Sequence, residues 1–312
     1  MITLGIDTSN YTTSCALYDS EANTIIQRKK LLPVKEGEKG LRQSDAVFHH
    51  TQQLYPLVSS LYEEMDILPD CIGVSARPRD VEGSYMPCFT VGVNTANSIA
   101  SVIKSPIYDF SHQCGHIMAA LFSADRMDLI KKQFIAFHVS GGTTEALLVK
   151  PDSKKIFDIE IIGKTLDLNC GQTIDRCGVM MGLKFPCGAE LEKLAYDSTE
   201  KYNPKICVKD GNCSLSGLEN QCKKMLIENT DKCDVANYCL QFVGKTIEKM
   251  TDYVVEKCGD LPVVYAGGVM SDKIIRNRLE NKFNASFAAP EFSCDNAAGT
   301  AILAYLRGKN NV

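Results

Sequence analysis

The sequence has no run of 18 apolar residues, which excludes a transmembrane helix. It also has no surplus of charge: 34 basic residues against 38 acidic ones leave a net charge of -4. No global field therefore draws the chain toward nucleic acid or an anionic membrane, and an RNA contact has to come from a local patch or a partner. No two of its 14 cysteines are separated by two residues, so zinc-ribbon and thioredoxin-type arrangements have no support. The chain opens on an apolar strand, Ile2 to Ile6, in place of a signal peptide. The cysteines are then expected to be reduced, in a cytoplasmic setting, and to serve as small buried apolar side chains. A Pro/Ser-rich linker is likewise missing, so any domain boundary must be read from internal similarity.

What is present is enough apolar material, 45% of 312 residues, for one large core or two medium ones. ITLGIDTSNYTTSCALYD from Ile2 reads as an apolar strand, a small polar turn, a Thr-Thr pair and a second strand. FIAFHVSGGTTEALLVK from Phe134 repeats that order, with its Thr143-Thr144 pair 131 residues after Thr12-Thr13. Similarity on this scale implies two related lobes, 1–130 and 131–312. Helices are expected from Ala46 to Leu61, Thr90 to Ile103, Cys170 to Leu183, Ser214 to Ile227, Tyr238 to Lys257 and Asp295 to Arg307, with a further one starting at Ser271. Strands are expected at Cys71–Ala76, Ile107–Phe110, Lys155–Lys164 and Leu261–Ala266.

Small residues let backbone N–H groups approach an anion. The turns Ser9-Asn10, Ser140-Gly141-Gly142-Thr143-Thr144 and Ala266-Gly267-Gly268, taken in this order, point to nucleotide phosphates held between the lobes. His112 and His116, four apart in a helical stretch, project from one face and can share a metal. His138 near a strand end and Asp295 at the opening of the last helix are further candidate ligands; imidazole and carboxylate donors suit zinc or iron better than magnesium or calcium. Each residue also has an ordinary reading, as a packed histidine or a helix-capping aspartate. Gln113 follows His112 where a zincin helix needs its glutamate, which argues against a protease. Asp7 and Asp272 are the carboxylates that fall near these turns, and they are the candidate catalytic groups.

HQCGH, SGGTTEALL, GQTIDRCGVMMGLKFPCGAELEKLA, SLSGL, AGGVMSD and SCDNAAGTA, in that order, resemble the TsaD threonylcarbamoyltransferases, formerly called sialoglycoprotein endopeptidases. The resemblance covers nearly the whole chain. It implies an α/β, two-lobed actin-like ATPase fold, the fold of sugar kinases, heat-shock chaperones and actin, with duplicated ribonuclease H-like lobes. It places His112, His116, His138 and Asp295 at metal-ligand positions, and Asp175, Gly188, Glu192, Asp272 and Ser140 to Thr144 at nucleotide-contact positions. The cofactors it implies are one transition metal, iron or zinc, and an adenine nucleotide or acyl-adenylate. The implied reaction carries a threonylcarbamoyl group from its adenylate to the adenosine beside the anticodon of tRNA. The implied partners are tRNA and the other subunits of a threonylcarbamoyl-transfer complex, with no membrane. The chain departs from the family pattern at Tyr11 and Thr12, where many members have an acidic pair, at Asp272 in place of Asn, and at RPRDVEGSYMP from Arg77. Those departures keep two alternatives open: a paralogous nucleotide-dependent carbamoyl or acyl transferase, and a non-catalytic regulatory subunit.

Overall fold

The computed structural model describes residues 1–9, 11–33, 41–65, 67–293 and 297–309. They form two compact units, one of residues 1–123 with 294–312 and the other of residues 124–293. Among the described residues, no helix is long and apolar enough to cross a membrane.

The first unit is built from strands β1 (Ile2–Asp7), β2 (Thr12–Asp19) and β3 (Thr24–Leu31), helix α1 (Gln43–Tyr62), strand β4 (Cys71–Arg77), helix α2 (Phe89–Ile103), strand β5 (Ile107–Ser111) and helix α3 (His112–Ser123). Its sheet has the order β3-β2-β1-β4-β5, with β1–β2 and β2–β3 antiparallel and β1–β4 and β4–β5 parallel. Every residue of β1 is buried, as expected of a strand covered on both faces. Alternation along the strand sorts the two coverings. Ile2, Leu4 and Ile6 join Leu54 and Leu61 of α1 and Ala96 and Ala100 of α2 in one apolar cluster. Thr3 and Gly5 point the other way, toward the terminal helix α9 (Ala298–Lys309). A Cβ on Gly5 would lie 2.6 Å from the Ala301 amide nitrogen, and one on Gly73 would lie 2.9 Å from the Ala304 Cβ. Glycine is what lets α9 lie this close to the sheet.

The second unit repeats the plan. Strands β6 (Phe134–Val139), β7 (Thr144–Asp152) and β8 (Ile156–Lys164) are followed by helices α4 (Cys170–Met180) and α5 (Gly188–Ala195) and by a short hairpin of β9 (Cys207–Lys209) and β10 (Asn212–Ser214). Helices α6 (Ser216–Ile227) and α7 (Lys232–Cys258), strand β11 (Val263–Ala266), helix α8 (Lys273–Glu280) and strand β12 (Ala285–Phe287) complete it. The sheet order β12-β11-β6-β7-β8 has the same directions at corresponding positions as the first sheet. The duplication read from the two Thr-Thr hairpins is thus present strand for strand. The core lies between this sheet and α4, α6 and α7, where Ile135, Phe137 and Val139 meet Ile174, Leu218, Val243 and Ile247.

Several element bounds differ from expectation. Helix α7 starts at Lys232, six residues before Tyr238, because the polar run that precedes its apolar face is its first turn, with Asp234 near the positive end of the helix dipole. Helix α6 starts at Ser216, since Ser214 ends β10 in a hairpin turned by Gly211 at φ +78°. Helix α8 starts at Lys273, since Asp272 caps it by accepting the Ile275 amide at 2.9 Å.

Candidate metal and nucleotide sites

The parallel pairing of β1 with β4 aligns Ile6 with Val74, so the two strands deliver Asp7 and Ser75 side by side at their C-terminal ends. Asp7 is 1% exposed. One carboxylate oxygen accepts the Ser9 amide at 2.8 Å and the Ser9 hydroxyl; the other accepts Ser75 Oγ at 2.5 Å and meets His112 Nδ1 at 2.8 Å. Burial by itself raises the pKa of such a carboxyl. Here the charge of His112 and the bonds from His112, Ser75 and Ser9 outweigh it and hold Asp7 below the usual carboxylate range. The expectation of Asp7 as a reactive carboxylate thus meets a carboxylate whose oxygens are already engaged.

With Nδ1 of His112 turned to Asp7, its Nε2 faces Nε2 of His116 at 2.8 Å. Ser9 Oγ lies 3.4 Å from the same His112 Nε2. Both histidines belong to α3, so the four-residue spacing brings them to one face as expected. The two nitrogens are within hydrogen-bond distance, so one proton is shared between them, and a cation can take its place. A buried carboxylate on the far nitrogen of a histidine is also the arrangement that fixes a ligand's tautomer and raises its basicity. The donor set therefore fits zinc or iron.

The surroundings of α3 hold this pair in place. Ser111 Oγ accepts the Cys114 amide at 3.3 Å and donates to Asp80 at 2.8 Å. Asp80 in turn takes Arg77 Nε at 2.8 Å. The segment from Arg77, read from sequence only as a departure, is thus a brace for the start of α3. On the other side, a Cβ on Gly299 would come within 2.8 Å of the Ala119 amide nitrogen and of the Gly115 carbonyl carbon. The first turn of α9 consequently rests on α3 beside His116. Asp295 precedes that turn and lies outside the described residues, as does Asn10.

His138 ends up in the second unit, opposite Glu145 across β6 and β7 and beside Ala266 of β11. Two residues later the Ser140–Thr144 turn begins. Ser140 Oγ accepts the amides of Gly142 at 3.2 Å and Thr143 at 3.1 Å, and Ser140 N donates to Thr143 O at 2.7 Å. The first turn of α4 is pinned to it: the Cys170 amide donates to Thr144 Oγ1 at 2.9 Å, and a Cβ on Gly171 would lie 2.7 Å from the Gly141 nitrogen. Gly141 and Gly142 face open space. On the neighbouring strand, Gly267 has φ +100°, and a Cβ there would lie 2.6 Å from the Val139 carbonyl carbon, so only glycine fits. Both glycine turns therefore stand at the C-terminal ends of adjacent parallel strands, where ligands of open α/β sheets bind.

Asp175, Gly188, Glu192 and Asp272 form a connected set. Asp175 of α4 accepts the Cys187 amide at 2.7 Å, which fixes the start of α5 at Gly188. One turn later, Glu192 accepts the Lys273 amide at 3.0 Å, beside the Asp272 cap of α8. Burial raises the pKa of Asp175. Burial also pushes Asp272 up to about 7, aided by the charge of Glu192 and opposed by the Ile275 amide. Sequence reasoning missed Ser9, Ser75 and Asp80 as supports of the histidine pair. Their only signal was a position at or just past a strand end.

The family described as TsaD, tRNA N6-adenosine threonylcarbamoyltransferase, matches residues 23–302. A tRNA N6-adenosine threonylcarbamoyltransferase of Thermosipho africanus is 28% identical, with 100% of this chain and 96% of that protein covered. The one of Neorickettsia sennetsu is 30% identical, with 82% of each chain covered. Among solved structures, component A of (R)-2-hydroxyglutaryl-CoA dehydratase from Acidaminococcus fermentans superposes with a TM-score of 0.56 at 16% identity, covering 99% of both chains. A ROK family glucokinase from Streptomyces griseus gives a TM-score of 0.54 at 10% identity, covering 98% of this chain and 100% of that one. The fold is the actin-like ATPase fold, with two mixed α/β sheets. By the match along nearly its whole length, the chain belongs to the TsaD family, the tRNA N6-adenosine threonylcarbamoyltransferases.

Proposed function

We propose that this protein transfers a threonylcarbamoyl group from threonylcarbamoyl-adenylate to N6 of the adenosine beside the anticodon of tRNA. The observation that carries the reading is the Asp7–His112–His116 array in a chain of this family. In the reaction, a bond forms between the adenosine N6 and the carbamoyl carbon, the bond from that carbon to the adenylate phosphate oxygen breaks, and AMP leaves with the electron pair. One proton departs from N6.

His112 and His116 are the residues that hold a transition metal in this reading, iron or zinc, with Asp7 orienting His112. When bound, the ion supplies Lewis acidity toward a carbonyl oxygen that gains negative charge. Asp295 and His138 remain candidate ligands on their sequence match. The Ser140–Thr144 turn is assigned to the adenylate phosphate: Gly141 and Gly142 leave the backbone open to an anion, and the adjoining start of α4 favours negative charge. Asp175 and Glu192 orient the α5 and α8 termini toward the rest of the nucleotide. Asp272, pushed up to about 7, is suited to accept the N6 proton near neutral pH. The reading places the protein in the cytoplasm, working with partner subunits on tRNA.

A paralogous carbamoyl or acyl transfer to another acceptor is the second reading. It is favoured by Tyr11, 44% exposed, and Thr12 in place of an acidic pair. Mass spectrometry of tRNA nucleosides from cells with and without the protein separates the two. Loss of threonylcarbamoyladenosine on depletion supports transfer to tRNA; an unchanged level rejects it in favour of the paralogue.

A further inference from the structure

Three thiols from separate parts of the sequence meet inside the second unit. The sulfurs of Cys177 in α4, Cys222 in α6 and Cys239 in α7 lie within 4.8 Å of one another. Each residue is 0% exposed and belongs to the main apolar cluster of the unit. A buried cysteine is usually only a small apolar side chain, and Cys170 and Cys213, buried in the same cluster, fit that role. Three sulfurs converging from three helices have a second use.

We propose that Cys177, Cys222 and Cys239 form a three-coordinate thiolate site for a soft monovalent cation, copper(I). Points no more than 4.8 Å apart all lie within about 2.8 Å of a common centre. Metal–sulfur bonds of about 2.3 Å are then reached by a contraction of about half an ångström. All three donors are soft, which selects against magnesium, calcium and manganese. Among the described residues no fourth histidine, cysteine or carboxylate joins the group. Zinc needs a fourth ligand, and a water in that place needs polar partners that an apolar surround does not offer. Copper(I) is satisfied by three sulfurs. The thiols already interact, with Cys222 in hydrogen-bond contact with Cys177 and Cys239. Loading replaces S–H protons by the cation, the protons leave to solvent, and no electron is transferred. A cation here ties α4, which carries Asp175 and abuts the Ser140–Thr144 turn, to α6 and α7.

The test titrates the reduced full-length protein anaerobically with copper(I) supplied as its acetonitrile complex, against a colorimetric copper(I) chelator. The variants are Cys222→Val, which keeps an apolar side chain in the core, and Cys207→Ala, which removes an exposed thiol. The tightest equivalent is expected to weaken at least 100-fold in Cys222→Val and to be unchanged in Cys207→Ala. Equal affinity in wild type and Cys222→Val overturns the proposal. X-ray absorption of the wild type carrying one equivalent decides the matter even where the variant fails to fold. Three sulfurs at one distance of about 2.3 Å support the site, and two sulfurs, or displacement of the copper by equimolar zinc, refute it. None of these readouts involves tRNA, so their failure leaves the proposed transfer reaction standing.

Discussion

Replacing Asp7 by asparagine tests the histidine array at its root. The carboxylate accepts on both oxygens, from Ser9 on one side and from Ser75 and His112 on the other. An amide has one acceptor and one donor end, so it cannot serve both sides. With its oxygen toward His112, its NH2 confronts the Ser9 amide at a site 1% exposed, leaving buried donors unsatisfied at a cost of about 1–3 kcal/mol. With the amide reversed, His112 Nδ1 meets a donor and must give up its proton. The proton moves to Nε2, the nitrogen that faces His116, and that nitrogen can no longer bind a metal. Either outcome removes the charge that orients the ligand, a loss of about 10- to 100-fold in metal affinity. Chelator competition on the purified protein reads the affinity, and urea unfolding reads the stability. The acid side adds a check. Because the folded pKa of Asp7 lies below its ordinary 3.8, its contribution is present above that pH and is lost as the pH falls through the folded value. Asp7→Asn should flatten this part of the pH profile. Wild-type metal affinity together with wild-type stability in Asp7→Asn would refute the reasoning.

Gly299→Ala places a Cβ within 2.8 Å of the Ala119 nitrogen and the Gly115 carbonyl carbon. Unfolding in urea should show a loss of about 1–3 kcal/mol from overpacking, accompanied by weaker metal retention because α3 is displaced. Gly142→Val adds a side chain where the protein leaves open space, so the fold should keep its thermal midpoint while calorimetry shows adenylate binding weakened about tenfold or more, on the order of 1.4 kcal/mol. Equal affinity would reject the phosphate turn. Asp272→Asn keeps a capping side chain and removes a buried acid whose pKa stands at about 7 instead of 3.8. Between those values the unfolded chain has released a proton that the native chain retains, so wild-type stability should fall as pH rises from about 4 to 7. In the variant that decline should be absent and adenylate binding preserved or improved; an identical pH profile for the two proteins would contradict the shift.

The hairpins and the paired histidines were legible in the sequence because both are local patterns. A strand, a small turn and a Thr pair announce themselves within 18 residues, and a four-residue spacing sets two side chains on one helical face. Long-range pairing carries no such mark. That Ser75 stands beside Asp7 follows from the parallel register of β1 and β4, strands separated in the chain by β2, β3 and α1. That α9 lies against Gly5, Gly73 and Gly115 follows from steric room left by glycines far apart in the chain. The three buried thiols likewise come from three helices, and no spacing rule for metal motifs within one segment could find them. Helix starts were misjudged where polar first turns, as at Lys232, looked like loop. Burial, which gives Asp272 its raised pKa, is a property of the packed chain and not of the AGGVMSD motif.

The proposed transfer reaction depends most on His112 and His116 as the proposed metal ligands. The direct measurement is the threonylcarbamoyladenosine content of tRNA, by nucleoside mass spectrometry, in cells depleted of this protein and complemented with either wild type or His112→Ala/His116→Ala. Wild type should restore the nucleoside and carry about one equivalent of transition metal when purified, while the double variant, folded but without the metal, should restore none. Full restoration by the double variant would contradict the account.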